Sequence, residues 1–146
     1  MTASPELEHL NAFVGIWETE GEMTVDPSGE RVKFKATDTY EWLPGRYFLF
    51  HRFEGNLPGG NVVRIEVIGY NREINAYTMH AFDSQGNAFV MEGSLEMDNW
   101  TFVGERTLFS GGFRDSGKVF AGLWERRPGE GADWQPWMEV LLKKVV

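Results

Sequence analysis

The stretch from Phe13 to Val25, FVGIWETEGEMTV, constrains the chain more than any other. Trp17, Thr19, Gly21, Met23 and Val25 fall on one side, and Ile16, Glu18, Glu20, Glu22 and Thr24 on the other. A period of two with one charged face is the pattern of a half-buried antiparallel strand. It reads as the first strand of a barrel, with Trp17 closing one end and the glutamates forming a solvated outer ladder. Before it, Ser4-Pro5-Glu6-Leu7-Glu8 carries an N-cap serine and a proline at the first helical position, predicting a short helix that lids the barrel.

The rest of the chain repeats the theme. Asp26-Pro27-Ser28-Gly29 is turn chemistry, so Val32 to Trp42 returns antiparallel. One register keeping the apolar faces together sets Glu22 across from Lys35, Thr19 across from Asp38 and Trp17 across from Tyr40. After Leu43-Pro44-Gly45-Arg46, strand Tyr47 to Glu54 is apolar on both faces. A four-residue turn places His51 opposite Asp38, and a slip of one residue places Arg52 there; periodicity leaves both open. Gly55 to Gly60 reads as a loop. Val62 to Tyr70 reads as a strand with Val63, Ile65 and Val67 inward and Arg64 and Glu66 outward.

Ala76 to Phe82 turns through Asp83-Ser84-Gln85-Gly86 into Asn87 to Met97, which puts His80 opposite Phe89 and facing in. A two-residue turn at Asp98-Asn99 sets Arg106 opposite Met91, also inward. Gly111-Gly112 suggests a bulge or bend in a long strand. Lys118 to Arg126 and Pro136 to Lys143 complete the chain. So many short strands with one short helix predict an all-β fold: a closed antiparallel up-and-down β-barrel of nine or ten strands, forming a single domain over residues 1–146.

Composition sharpens this reading. Aromatic residues at 14% together with 17 glycines favour all-β, and 146 residues suffice for one real core. A net charge of −8 without a Lys/Arg cluster argues against nucleic acid and against anionic membrane surfaces. The amino terminus shows neither the basic nor the apolar region of a signal peptide, and there is no cysteine, so a cytoplasmic location is expected. Serine-nucleophile motifs, phosphate-binding glycine loops and zinc-protease spacing are absent.

The expected inward polar set is Asp38, Tyr40, Thr78, His80 and Arg106, with His51 or Arg52. Such groups must satisfy one another or line a wet cavity, because burying them unpaired costs about 1–3 kcal/mol each. Phe34, Trp42, Phe89, Met91 and Phe102 supply apolar walls. Arg106 is the candidate for a ligand carboxylate, since its fork accepts one bidentately. Tyr40, Trp42, His80, Phe89, Met91 and Phe102 complete a candidate ligand site. His80, His51 and Asp38 are the candidate catalytic residues, a histidine being able to move protons near neutral pH. His51, His80 and Asp38 share no metal-ligand spacing, and Met23, Met79, Met91, Met97 and Met138 read as core filling. Neither a metal nor a cofactor is expected.

Gly15-x-Trp17 at the head of a β-meander resembles the calycins, the group of lipocalins and fatty-acid-binding proteins. Asp38-Thr39-Tyr40-Glu41-Trp42-Leu43-Pro44-Gly45, Glu66-Val67-Ile68-Gly69-Tyr70, Phe82-Asp83-Ser84-Gln85-Gly86-Asn87, Gly122-x-Trp124-Glu125 and Trp134-x-Pro136-Trp137 resemble a bacterial family of single-domain calycin-like barrels of unknown function. More distantly the chain is similar to nitrobindin, a haem-binding barrel with the motif G-x-W-x-G-x-G. Gly15, Trp17 and Gly21 match that motif, while Thr19 replaces its middle glycine. The haem ligand there is a C-terminal histidine, and this chain has no histidine after His80.

Three functions follow as expectations. The first is binding of a small apolar or amphipathic, possibly anionic, molecule inside the barrel. The second is a cofactor-free isomerase or cyclase using His80 or His51 with Asp38. The third is a homodimer or interaction module presenting Trp134 and Trp137.

Overall fold

A computed structural model describes residues 4–146, so the first three residues of the amino-terminal segment lie outside it. A short helix, α1 (Pro5–His9), passes through a 3-10 turn (Leu10–Phe13) into ten strands. These are β1 (Gly15–Val25), β2 (Glu30–Trp42), β3 (Leu49–Leu57), β4 (Gly60–Asn71), β5 (Ala76–Asp83), β6 (Ala88–Glu96), β7 (Asn99–Val103), β8 (Thr107–Arg114), β9 (Val119–Arg126) and β10 (Gln135–Lys144). Each strand pairs antiparallel with the next, and β10 closes on β1. Closure pairs every strand on both sides and leaves no open sheet edge.

The helix is too short to hold itself together; capping and packing hold it. Ser4 Oγ accepts from the Leu7 amide at 3.2 Å. Leu7, Leu10 and Phe13 are buried in one end of the barrel. The Phe13 ring meets those of Tyr40, Trp100, Phe113 and Phe120 at centroid distances of 4.9 to 5.3 Å. Trp17 Nε1 donates to the Phe13 carbonyl at 2.8 Å, and the Tyr77 hydroxyl donates to the Glu6 carbonyl at 2.7 Å. The helix is therefore a lid, and Trp17 is fully buried beneath it.

Several registers differ from the sequence reading. In β1 and β2, Trp17 lies opposite Asp38 and Thr19 opposite Ala36, because β2 resumes at Glu30. The slip is two residues, so each side chain keeps its face. Between β2 and β3 a longer turn over residues 43–48 sets His51 opposite Tyr40 and Phe53 opposite Asp38. His51 faces in and is buried; Arg52 faces out and pairs with Glu54 at 2.8 Å.

Odd slips reverse faces, and two of them matter. Residues 84–86 form a three-residue loop between β5 and β6, held by Asp83 Oδ1, which accepts from the Gln85 and Asn87 amides at 2.9 and 3.1 Å. Ala81 therefore meets Phe89, and His80, opposite Val90, points into solvent. Thr78 shares that outer face. In β4 the expected orientation is inverted. Residues 58–59 are a tight turn rather than part of a long loop, His51 lies opposite Glu66, and Arg64, Glu66 and Ile68 line the lumen.

Arg106 is also relocated. The β6–β7 turn is at Met97-Asp98, both residues at positive φ, and β7 ends at Val103. The chain turns again before Arg106, which is exposed at the rim, where its carbonyl accepts from the Arg127 amide at 3.0 Å. Met97 is 99% exposed on that turn and fills no core. Gly111-Gly112 carries no bulge: β8 pairs through it without a shift on either side. The irregularity lies in β10, between Pro136 and Met138.

Candidate functional site

Below the lid the lumen contains a cavity of about 240 Å³. Most of its wall is apolar, with Met23, Phe53, Met79, Phe109, Trp137 and Met138 among the lining residues. The far end, away from the helix, is rimmed by Leu57, Pro58, Asp83 and Gln85 from the β3–β4 and β5–β6 hairpins. A larger depression of about 750 Å³ lies outside the barrel over Gly112, Ala121, Leu123 and Leu141. It is open to solvent and has no part in the lumen.

One wall carries a continuous chain of polar side chains. Thr19 Oγ1 donates to Asp38 Oδ2. The other Asp38 oxygen lies 2.5 Å from His51 Nε2, and His51 Nδ1 lies 2.6 Å from Glu66 Oε1. Glu66 Oε2 is 2.8 Å from Arg64 Nη2. The His51 ring stacks on Tyr40 at 3.8 Å and 7°. The Arg64 guanidinium lies against Phe89 and Trp124, 4.5 and 4.7 Å from their centroids. Asp38, His51 and Glu66 are all buried.

Electrostatics fix the charge states. Burial alone would depress the His51 imidazole, but the Glu66 charge and the bonds to both carboxylates outweigh it, raising its pKa from 6.5 to about 9. Burial likewise works against an ionised Glu66, yet the Arg64 and His51 charges outweigh it and lower its pKa to about 2. Tyr40 is held well above its usual value by burial and by the Asp38 and Glu66 charges, so it stays a neutral phenol. The formal charges of Asp38, His51, Glu66 and Arg64 sum to zero, which is how a largely apolar lumen accommodates four ionisable groups.

His51 is thereby occupied at both ring nitrogens. An imidazolium held by two carboxylates neither accepts a proton near neutral pH nor offers a lone pair to iron, which an axial haem ligand must do. His9 and His80 are exposed on the outside. The residues present do not fit a histidine-ligated haem inside the barrel.

Of the residues singled out from sequence, Asp38, Tyr40, His51 and Phe102 line the cavity. Met91 is buried in the core, Phe89 backs Arg64, and Trp42 Nε1 donates to Asn11 Oδ1 at 2.7 Å beside the lid. His80 and Arg106 are outside. Trp134 and Trp137 are not free surface rings: Arg127 packs on the first at 4.1 Å, Arg126 on the second at 5.3 Å, and Trp137 also lines the cavity. Sequence reasoning missed Arg64 and Glu66. The signal that could have found them is Pro58-Gly59, read as a tight hairpin turn, which pairs His51 with Glu66.

Comparison with known proteins agrees with the fold. The chain matches the family of proteins of unknown function DUF1579 over residues 2–119, and it belongs to that family. Among solved structures it is similar to Rv2717c from M. tuberculosis, with a TM-score of 0.73 and 13% sequence identity, covering 99% of this chain and 100% of that one. At that identity the likeness speaks for the fold alone. No curated protein matches.

Proposed function

We propose that this protein binds a small, largely apolar molecule in the barrel lumen, as calycin-type barrels do. The observation that carries the reading is the cavity of about 240 Å³ beneath the lid, apolar over most of its wall. That volume is roughly eight waters' worth, and apolar walls give such waters few partners. Replacing them with a ligand of about eight to ten non-hydrogen atoms releases them and buries apolar surface, which is favourable. The isomerase or cyclase alternative has less support, because His80 lies outside and His51 has no free nitrogen.

Native mass spectrometry of gently purified protein tests the proposal. A species whose extra mass disappears on denaturation is the expected result. The bare polypeptide mass, together with no binding of any eight-carbon probe, would sink the reading.

One observation favours a second reading, a homodimer. The inverted β4 presents Val63, Ile65 and Val67 outward, and beside them Phe82 and Val90 are 49% and 54% exposed. Phe50, Val67, His80 and Val90 form one cross-strand row on that face. Analytical ultracentrifugation showing a dimer that Phe82→Glu dissociates would support it; a monomer at high concentration would count against it.

A further inference from the structure

Arg64 is poorly served by the protein. Nη2 lies 2.8 Å from Glu66 Oε2, but off the direction of its N–H bonds, so the contact is an ion pair without a directed hydrogen bond. Nε has no acceptor either, and both nitrogens are buried. Phe89 and Trp124 present aromatic rings to the guanidinium and no hydrogen-bond acceptor. A buried N–H such as that of Nε, left without an acceptor, is costly, and native structures rarely leave one so. This arginine lines the cavity, at the level of the rim, opposite Asp83 across the β4–β5 pair.

We infer that the lumen ligand is a neutral amphipathic molecule whose carbonyl oxygen, ketone, ester or amide, is held by Arg64, with its hydrocarbon part against the methionine and phenylalanine walls. The inference rests on the ligand-binding reading above and specifies its chemistry. Charge decides against the alternatives. Asp38, Glu66 and Asp83 face Arg64 and His51, so the lumen and its rim together already carry one excess negative charge. A carboxylate ligand would pass Asp83 at the rim and then compete with Glu66 for the same guanidinium. A cation would find both lumen carboxylates already engaged by His51 and Arg64. A carbonyl supplies the missing acceptor and adds no charge. The anionic ligand expected from sequence depended on Arg106, which is outside.

The test is titration of the intact protein with three probes of equal chain length, 2-octanone, octanoate and octylammonium, by isothermal calorimetry and by intrinsic tryptophan fluorescence, to which Trp124 and Trp137 contribute from the cavity wall. The ketone is expected to bind at least about tenfold more tightly than either ion. Arg64→Met should remove that preference, lowering ketone affinity about tenfold. Arg64→Lys is the second variant: it keeps a cation beside Glu66 but loses Nε and the fork, and should show an intermediate loss. Octanoate binding more tightly than the ketone would overturn the neutral assignment. Equal binding of all three, unchanged in either variant, would overturn the role of Arg64 while leaving the ligand-binding reading intact. Failure of every probe, together with the bare polypeptide mass in native spectra, would overturn that reading itself.

Discussion

His51 owes its charge to two carboxylates, and they owe their burial to it. Removing His51 alone leaves two lumen carboxylates against the single Arg64 cation, so His51→Leu should cost about 3–5 kcal/mol in denaturant unfolding. Changing Asp38 to asparagine as well removes the excess charge, leaves Glu66 paired with Arg64, and should recover most of that loss. A double variant no more stable than the single one would show that the ion chain stabilises by more than mutual neutralisation.

The same residues set the pH dependence. His51 titrates at about 9 in the folded protein against 6.5 ordinarily, so its contribution is complete below about pH 6.5 and is lost as pH rises through about 9. Glu66, lowered from 4.5 to about 2, contributes fully above about pH 4.5 and loses that contribution as pH falls through about 2. Stability should therefore plateau between about pH 4.5 and 6.5 and decline toward pH 9. The decline should vanish in the double variant, a difference thermal melts across pH would register.

At the scale of the strand, parity decides everything, and here the sequence was only partly legible. β1 was readable because its outer face is charged and its inner face is not. In β4 the usual rule, apolar inward, fails: Val63, Ile65 and Val67 face out while Arg64 and Glu66 face in. No period-two pattern says which of its faces is the core; the neighbouring turns say so, and a one-residue error in a turn reverses a strand. That is why alternation alone puts His80 inside, through a two-residue loop that is really three, and why it cannot fix His51. Packing adds a constraint that alternation does not show. Inward glycines leave room for the rings of adjacent strands: a Cβ at Gly93 would stand 2.4 Å from the Phe102 ring, and one at Gly21 only 2.1 Å from Phe34. Gly93→Ala should therefore cost about 1–3 kcal/mol through overpacking. Phe102→Leu in the same chain should recover part of it, giving a double-mutant coupling that chemical denaturation can measure.

Over the whole molecule, one end is sealed and the other holds the rim through which a ligand would enter. The seal depends on a helix that could not stand alone, so Leu10→Ala, at a site with no exposure, should cost about 2–5 kcal/mol. The resulting loosening should show as faster amide exchange in α1 and at Trp17. No described helix is long and apolar enough to cross a membrane. The central claim is that the lumen accepts a small neutral molecule, and methionine-methyl NMR tests it most directly. Of the six methionines, Met23, Met79 and Met138 line the cavity, while Met97 is 99% exposed and serves as an internal control. On addition of 2-octanone the three cavity methyls should shift together and saturably, with Met97 unmoved. Shifts confined to Met97, or none at all, would contradict the account.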